Sequence, residues 1–296
     1  MSDPISVSVR RGSVVESVHR VHAVAVKDAA VVAEAGDGGL VTFMRSSAKP
    51  LQALPLARAR DDLGERDLAI ASASHLADEA QLEAVRALLA KAPAEETELE
   101  CGPAGIPPAR IKHNCSGKHA GMLALCRAFE WPTEGYRLAE HPVQQAMLAE
   151  IAAAADVDAH EIGTAVDGCG VVTFALPLER MAFAFSRLPR LDGGARVTAA
   201  MRAYPELIRG PEAPDTILMR ALAGWTAKGG AEGLHCAVGP DATGIALKVE
   251  DGNIRAIRPA LGAFLAQLGY RAGGLGTVPL RNSRGEAVGE VAVEPD

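Results

Sequence analysis

Apolar and polar residues alternate through the first forty positions. The alternation covers residues 5–9 and 13–18, then 22–26 and 31–34 on either side of a turn at Lys27-Asp28. Asp37-Gly38-Gly39 marks another turn before residues 41–43. A period of two, bounded by turn residues, predicts an antiparallel meander. From Ser46 the pattern becomes helical, with Pro50 in a first turn where its missing N–H costs nothing and Leu51, Leu54 and Leu56 following. Residues 67–74 (DLAIASAS) read as a buried strand, and 78–90 as a helix with an acidic start and Leu82, Val85, Leu88 and Leu89 on one face. Residues 93–110 are loop punctuated by proline and glycine. Helices are expected over 115–129, 142–155, 198–204, 217–227 and 254–268. Residues 234–239 and 244–249 form a hairpin turning at Pro240-Asp241, and 285–293 a closing strand.

Strands at both ends and helices between them predict an α+β fold rather than βαβ alternation. No repeat or low-complexity linker divides the chain, so residues 1–296 are expected to form a single unit, with any subdomain boundary inside the Pro/Gly loops.

Composition narrows the partners. With 30 Lys and Arg against 37 Asp and Glu, the net charge is −7. That balance and the lack of a basic patch argue against nucleic acid. No run of about 18 apolar residues suggests a membrane span, and the N-terminus lacks a basic region followed by an apolar one. The expectation is a soluble, cytoplasmic protein. Its five cysteines are then reduced thiols, available to metal or chemistry.

Four segments could carry chemistry. The first, Arg45-Ser46-Ser47-Ala48-Lys49-Pro50, holds the chain's only Ser-x-x-Lys. At a helix start Lys49 falls almost one turn after Ser46, where a neutral amine could take the hydroxyl proton. The bland alternative is a capping serine followed by a surface lysine. The second segment runs His113-Asn114-Cys115-Ser116-Gly117-Lys118-His119, with Cys169 far off in Asp167-Gly168-Cys169-Gly170. Two thiolates make half a tetrahedral zinc site. By ligand chemistry His119 is the orthodox third donor, since Lys118 must first shed a proton. Two buried cysteines packing as small hydrophobes would look the same. The third segment, Ala71-Ser72-Ala73-Ser74-His75, presents hydroxyls at Ser72 and Ser74 before an acidic helix start. The fourth is Lys228-Gly229-Gly230-Ala231-Glu232-Gly233 with Lys248 on the following strand, an isolated charge among apolar neighbours. Cys236 lies on the strand before Lys248, whereas Cys101 and Cys126 read as structural.

Together these segments resemble one family over nearly the whole chain. RSSAKPLQ (45–52), ASASH (71–75), HNCSGKHAGML (113–123), VDGCGVVTFALPL (166–178), AKGGAEG (227–233) and GIALKVEDG (244–252) look like the rhizobial-type, or class 3, L-asparaginases of the L-asparaginase II family. The resemblance implies two tandem Ser–Lys pairs, Ser46 with Lys49 and Ser74 with Lys248. It implies zinc held by Cys115, Lys118 and Cys169, preferring Lys118 over His119, and substrate contacts from Arg45, His75 and Asp167. It further implies a fold similar to serine β-lactamases, a homodimer, and hydrolysis of L-asparagine to L-aspartate and ammonia through a β-aspartyl ester on Ser46. The competing expectations are another Ser-x-x-Lys amidase, of β-lactamase or peptidase type, and a non-catalytic zinc-binding module.

Overall fold

The computed structural model describes residues 2–294. Strands β1 (Ile5–Arg11), β2 (Val14–Lys27), β3 (Ala30–Ala35) and β4 (Val41–Phe43) open the chain, and a 3-10 turn (Arg45–Ala48) leads into helices α1 (Lys49–Gln52) and α2 (Leu54–Ala59). A helical stretch follows, made of α3 (Glu65–Ala71), α4 (Glu79–Lys91), α5 (Ser116–Ala128) and α6 (Pro142–Ala155). Strands β5 (Gly163–Val166) and β6 (Val172–Pro177) precede α7 (Leu178–Arg187), α8 (Gly194–Ala203), α9 (Pro205–Ile208) and α10 (Pro214–Ala221). Strands β7 (Thr226–Gly229), β8 (Leu234–Val238) and β9 (Gly244–Val249), helix α11 (Ile257–Gln267) and strands β10 (Val278–Arg281) and β11 (Ala287–Val293) complete the order.

The 14 residues of β2 organise the main sheet. Its first half pairs with β1 and its second half with β3 along one edge, while β9 takes the other edge. The strand order is β10-β11-β1-β2-β9-β8-β7, antiparallel throughout. A separate three-stranded sheet has the order β4-β6-β5. Helix α7 lies on the main sheet with Leu178, Met181, Ala182 and Phe185 buried at helical spacing. It comes so close that a Cβ at Gly244 would collide with the Ala182 carbonyl. Each large apolar side chain buried there contributes about 1.5–3 kcal/mol. Among the described residues no helix is long and apolar enough to cross a membrane.

The architecture is the expected α+β with an antiparallel sheet, but several elements differ from the sequence pattern. Residues 67–74 are not a strand: α3 occupies Glu65–Ala71. An apolar run of that length fits either state, and the helix start at Gly64, whose N–H donates to Asp67 Oδ2 at 2.8 Å, decides it. Residues 217–227 split into the end of α10 and the start of β7, separated by Gly224 at φ +82°. The strands expected over 13–18 and 22–26 are one continuous β2.

Candidate active site

Strand β4 delivers the serine turn. Met44 N–H donates to Phe174 O at 2.7 Å, pinning the turn's entrance to β6. Arg45 then adopts φ +49°, a left-handed conformation costing a non-glycine residue about 1–2 kcal/mol. Its Nε donates to Asp167 Oδ1 at 2.7 Å, an ion pair that holds the turn from the β5–β6 hairpin. Ser46 is left half-buried, while Ser47 and Lys49 point into the protein. Lys49 does not hydrogen-bond Ser46, as the helical spacing suggested. Its Nζ donates to Ser74 Oγ at 2.9 Å and, in a short contact, to Ala73 O.

The second serine is fixed by two backbone bonds. Ser74 N–H donates to Ile208 O at 2.7 Å and His75 N–H to Asn114 O at 3.1 Å. Ser72 takes no part, because its hydroxyl bonds back to Leu68 O at 3.0 Å on its own helix. Nor does His75 offer a free ring nitrogen. Ser116 Oγ donates to Ile111 O, so it accepts from His75 Nε2 at 2.8 Å, and His75 Nδ1 accepts from Ala77 N–H at 3.1 Å. This neutral tautomer is consistent with burial, which pushes His75 down to about 4. His75 therefore braces the Ser74 segment from inside, with both ring nitrogens engaged.

Glycines explain how the thiols arrive. A Cβ at Gly117 would collide with the Ile70 carbonyl, and one at Gly121 would lie 3.2 Å from Ala71 Cβ, so α5 packs directly on α3. That contact carries Cys115 and Lys118 to the side of Lys49. Cys169 enters from the β5–β6 hairpin, two residues after Asp167, and its sulfur accepts from Lys118 Nζ at 3.2 Å. Both thiols are buried. Cys169 donates to Cys115, which is held well below the ordinary thiol range by that bond and by the Lys49 and Lys118 charges, despite burial. Burial works against the Lys118 ammonium, but the two sulfurs outweigh it and raise its pKa. Two sulfurs and one amine thus converge, a thiolate and nitrogen donor set that fits zinc once Lys118 sheds its proton. His119 does not complete that set. Its Nδ1 bonds Tyr136 OH at 2.7 Å, and although its buried Nε2 has no hydrogen-bond partner, His119 falls in no trio with the two sulfurs, the one trio of His, Cys or carboxylate ligand atoms within 4.8 Å of each other among the described residues being the exposed Asp158, His160 and Glu161.

The lysine beside the serine turn is Lys228, not Lys248. Lys228 on β7 is fully buried, and its carbonyl accepts from Ser47 Oγ at 2.9 Å. Lys228 pairs with Cys236, and Cys236 with Ala246, so Ala246 is the β9 residue level with it. Lys248 stands two residues further along β9, about 7 Å at the usual strand rise. There its Nζ is bound by Glu232 O at 2.8 Å and, in a short contact, by Val249 O. Lys248 therefore closes a sheet end, and Lys228 faces the serine turn. The available signal was the Gly229-Gly230 pair after Lys228. A Cβ at Gly230 would lie 2.9 Å from Met44 O and 3.1 Å from Ser47 Oγ, so only glycine lets this strand end approach the turn.

The family model described as L-asparaginase II matches residues 7–293 of this chain. The chain belongs to the L-asparaginase II family. No curated protein matches it. Membership makes the chain an L-asparaginase, an amidohydrolase whose substrate is the small molecule asparagine.

Within this L-asparaginase burial lowers the pKa of both buried amines. Burial lowers Lys49, and the neighbouring Lys118 charge lowers it further, against the opposing pull of Cys115 and Cys169. Burial brings Lys228 down to about 7, with Asp215 opposing and Lys49 assisting. A lysine at its ordinary value of about 10.4 would hold its proton too firmly to act as a base near neutrality. These two do not.

Proposed function

We propose that the chain converts L-asparagine to L-aspartate and ammonia through a β-aspartyl ester on Ser46, using two Ser–Lys pairs, Ser46 with Lys49 and Ser74 with Lys228. The observation that carries this proposal is the fully buried Lys49 amine, bonded to Ser74 Oγ at 2.9 Å at the head of the helix that Ser46 opens. Lys228 replaces Lys248 because it lies beside the serine turn.

In the first half-reaction, the Ser46 hydroxyl proton passes to neutral Lys49 as Ser46 Oγ attacks the side-chain amide carbon. The tetrahedral intermediate collapses when its nitrogen receives a proton from Lys49, relayed by the Ser74 hydroxyl, and ammonia departs. In the second, water attacks the ester, Lys49 takes the water proton, and Ser46 recovers its own. Lys228 acts as the ammonium. Its charge balances the developing oxyanion. Arg45 and Asp167, paired at the mouth, match the α-carboxylate and α-ammonium of the substrate.

Cys115, Lys118 and Cys169 would hold zinc, which supplies a fixed positive charge beside the site. The site residues themselves orient the substrate and move the protons. A serine β-lactamase-like fold, a homodimer and a cytoplasmic setting belong to the same proposal. Ser-x-x-Lys heading a helix that packs near an antiparallel sheet supports the fold relationship.

An ammonia assay on L-asparagine tests the reaction, with mass spectrometry of acid-quenched enzyme as the direct readout. A mass increase of one β-aspartyl group, lost in Ser46→Ala, is expected. Ammonia release by Ser46→Ala near the wild-type rate would overturn the ester.

A further inference from the structure

The face of the β7–β8 ladder turned away from Ser46 carries a second cluster of ionisable groups. Asp215, in the first turn of α10, is buried and accepts the Gly229 N–H in a short contact. Gly229 O in turn accepts from Lys228 Nζ at 2.6 Å. One glycine therefore joins the carboxylate on one face of the strand to the ammonium on the other. A Cβ at Gly229 would lie 3.3 Å from Asp215 Oδ2, so the residue is small where the carboxylate approaches. His235 stands opposite Gly229 in the ladder, and neither of its buried ring nitrogens has a hydrogen-bond partner. Arg209, Asp215, Gly229 and His235 help line a cavity of about 60 Å³.

A buried carboxylate costs several kcal/mol unless it is compensated, so its presence behind the lysine calls for a physical reason. We propose that Asp215 is a positioning residue for the hydrolysis, anchoring Lys228 through Gly229 and balancing its charge from the far face of the sheet. This rests on the role given to Lys228 above. The titratable and charged groups around Lys228 are Lys49 from α1, Cys115 before α5 and Cys236 from β8 on its own face of the ladder, Asp215 from α10 and His235 from β8 on the other, and Arg209 beyond α9. Arg202 of α8 reaches Thr226 instead. Of these, Asp215 is the leading influence that favours the Lys228 ammonium, against burial. Asp215 stays ionised despite its own burial because Lys228, His235 and the Gly229 N–H favour the carboxylate.

Asp215→Asn in the full chain tests the proposal, because it keeps an oxygen acceptor for Gly229 and removes the charge. The readout is kcat/KM for L-asparagine across pH. The alkaline limb, set by loss of the Lys228 proton, is expected to move about one unit towards acid. The rate then falls about tenfold below wild type at pH 8 and stays within about threefold at pH 5.5. Gly229→Ala, which pushes the carboxylate away, is expected to move the limb in the same direction, and it serves if Asp215→Asn fails to fold. A uniform loss at every pH with the limb in place overturns the proposal, since a purely structural role would give that result. Lys228→Met separates the two levels. If that variant keeps the alkaline limb, the Lys228 assignment has failed. If it loses the limb and neither Asp215→Asn nor Gly229→Ala moves it, the link to Asp215 has failed.

Discussion

Lys49 Nζ donates to Ser74 Oγ at 2.9 Å, joining the turn after β4 to the segment beyond α3. The amine thus serves a hydroxyl 25 residues away in sequence, while Ser46, three residues before it, keeps a half-buried hydroxyl for substrate. In the proposed mechanism, attack and proton relay are divided between two serines that share one base.

That division predicts unequal losses. Ser46→Ala removes the nucleophile and is expected to lower kcat by about 10⁴-fold or more with little change in KM. Lys49→Met removes the base and is expected to cost about 10²–10⁴-fold. Ser74→Ala leaves both in place and interrupts the relay, so its loss should be smaller than either. Steady-state ammonia release checks the order. Equal activity in Ser74→Ala and wild type would exclude a relay through Ser74.

The two strand lysines give a second comparison. Lys228→Met is expected to reduce kcat/KM by at least about 10²-fold, because it removes a buried charge beside the serine turn. Lys248→Met removes an ammonium bound by backbone carbonyls at the sheet end, so activity is expected to stay within about threefold and the melting temperature to fall. The reverse ranking would restore Lys248 to the site.

Much of this arrangement is legible in the sequence where chemistry and period coincide. The Ser-x-x-Lys turn, the Cys115 segment and the helix at Pro142–Ala155 stand where the pattern put them. The strand misassignment at residues 67–74 arose because a short Ala-rich apolar run has no period to distinguish helix from strand. The choice between Lys228 and Lys248 turns on ladder register, which is a tertiary property. Both lysines sit on apolar strands, and only the pairing of Cys236 with Ala246 shows which is level with the turn. The role of His75 was equally hidden. Its partners, Ser116 and the Ala77 N–H, depend on α5 packing against α3.

The donor set of Cys115, Lys118 and Cys169 predicts zinc binding with proton release. Cys115 already favours the thiolate, so metal uptake must displace protons from Cys169 and Lys118. A weakly buffered sample is expected to release about two protons per zinc bound near neutrality. Zinc in thousandfold excess over its Kd adds about 4 kcal/mol to unfolding, so a chelator should lower the melting temperature of protein as purified. Lys118→Met and Cys169→Ser are expected to weaken zinc binding, while His119→Gln leaves its stoichiometry unchanged. Loss of zinc in His119→Gln alone would shift the third ligand from the amine to the imidazole.

Acid stability should report the buried histidines before any carboxylate. Burial holds His235 and His75 at about 4, whereas an unfolded histidine titrates near 6.5. As pH falls below 6.5 the unfolded chain takes these protons first, and the folded chain takes them only near 4. Stability is therefore complete above about 6.5 and declines between 6.5 and 4, by up to about 3 kcal/mol for each histidine. Asp215, with its pKa lowered in the fold, contributes in the same direction only below the ordinary carboxylate range. Urea unfolding from pH 4.5 to 7.5 separates the two. His235→Gln is expected to flatten the slope between 6.5 and 4.5 even though it lowers stability at pH 7.5. An unchanged slope in that variant would mean that His235 is already protonated in the fold, with the Asp215 carboxylate as its counter-ion.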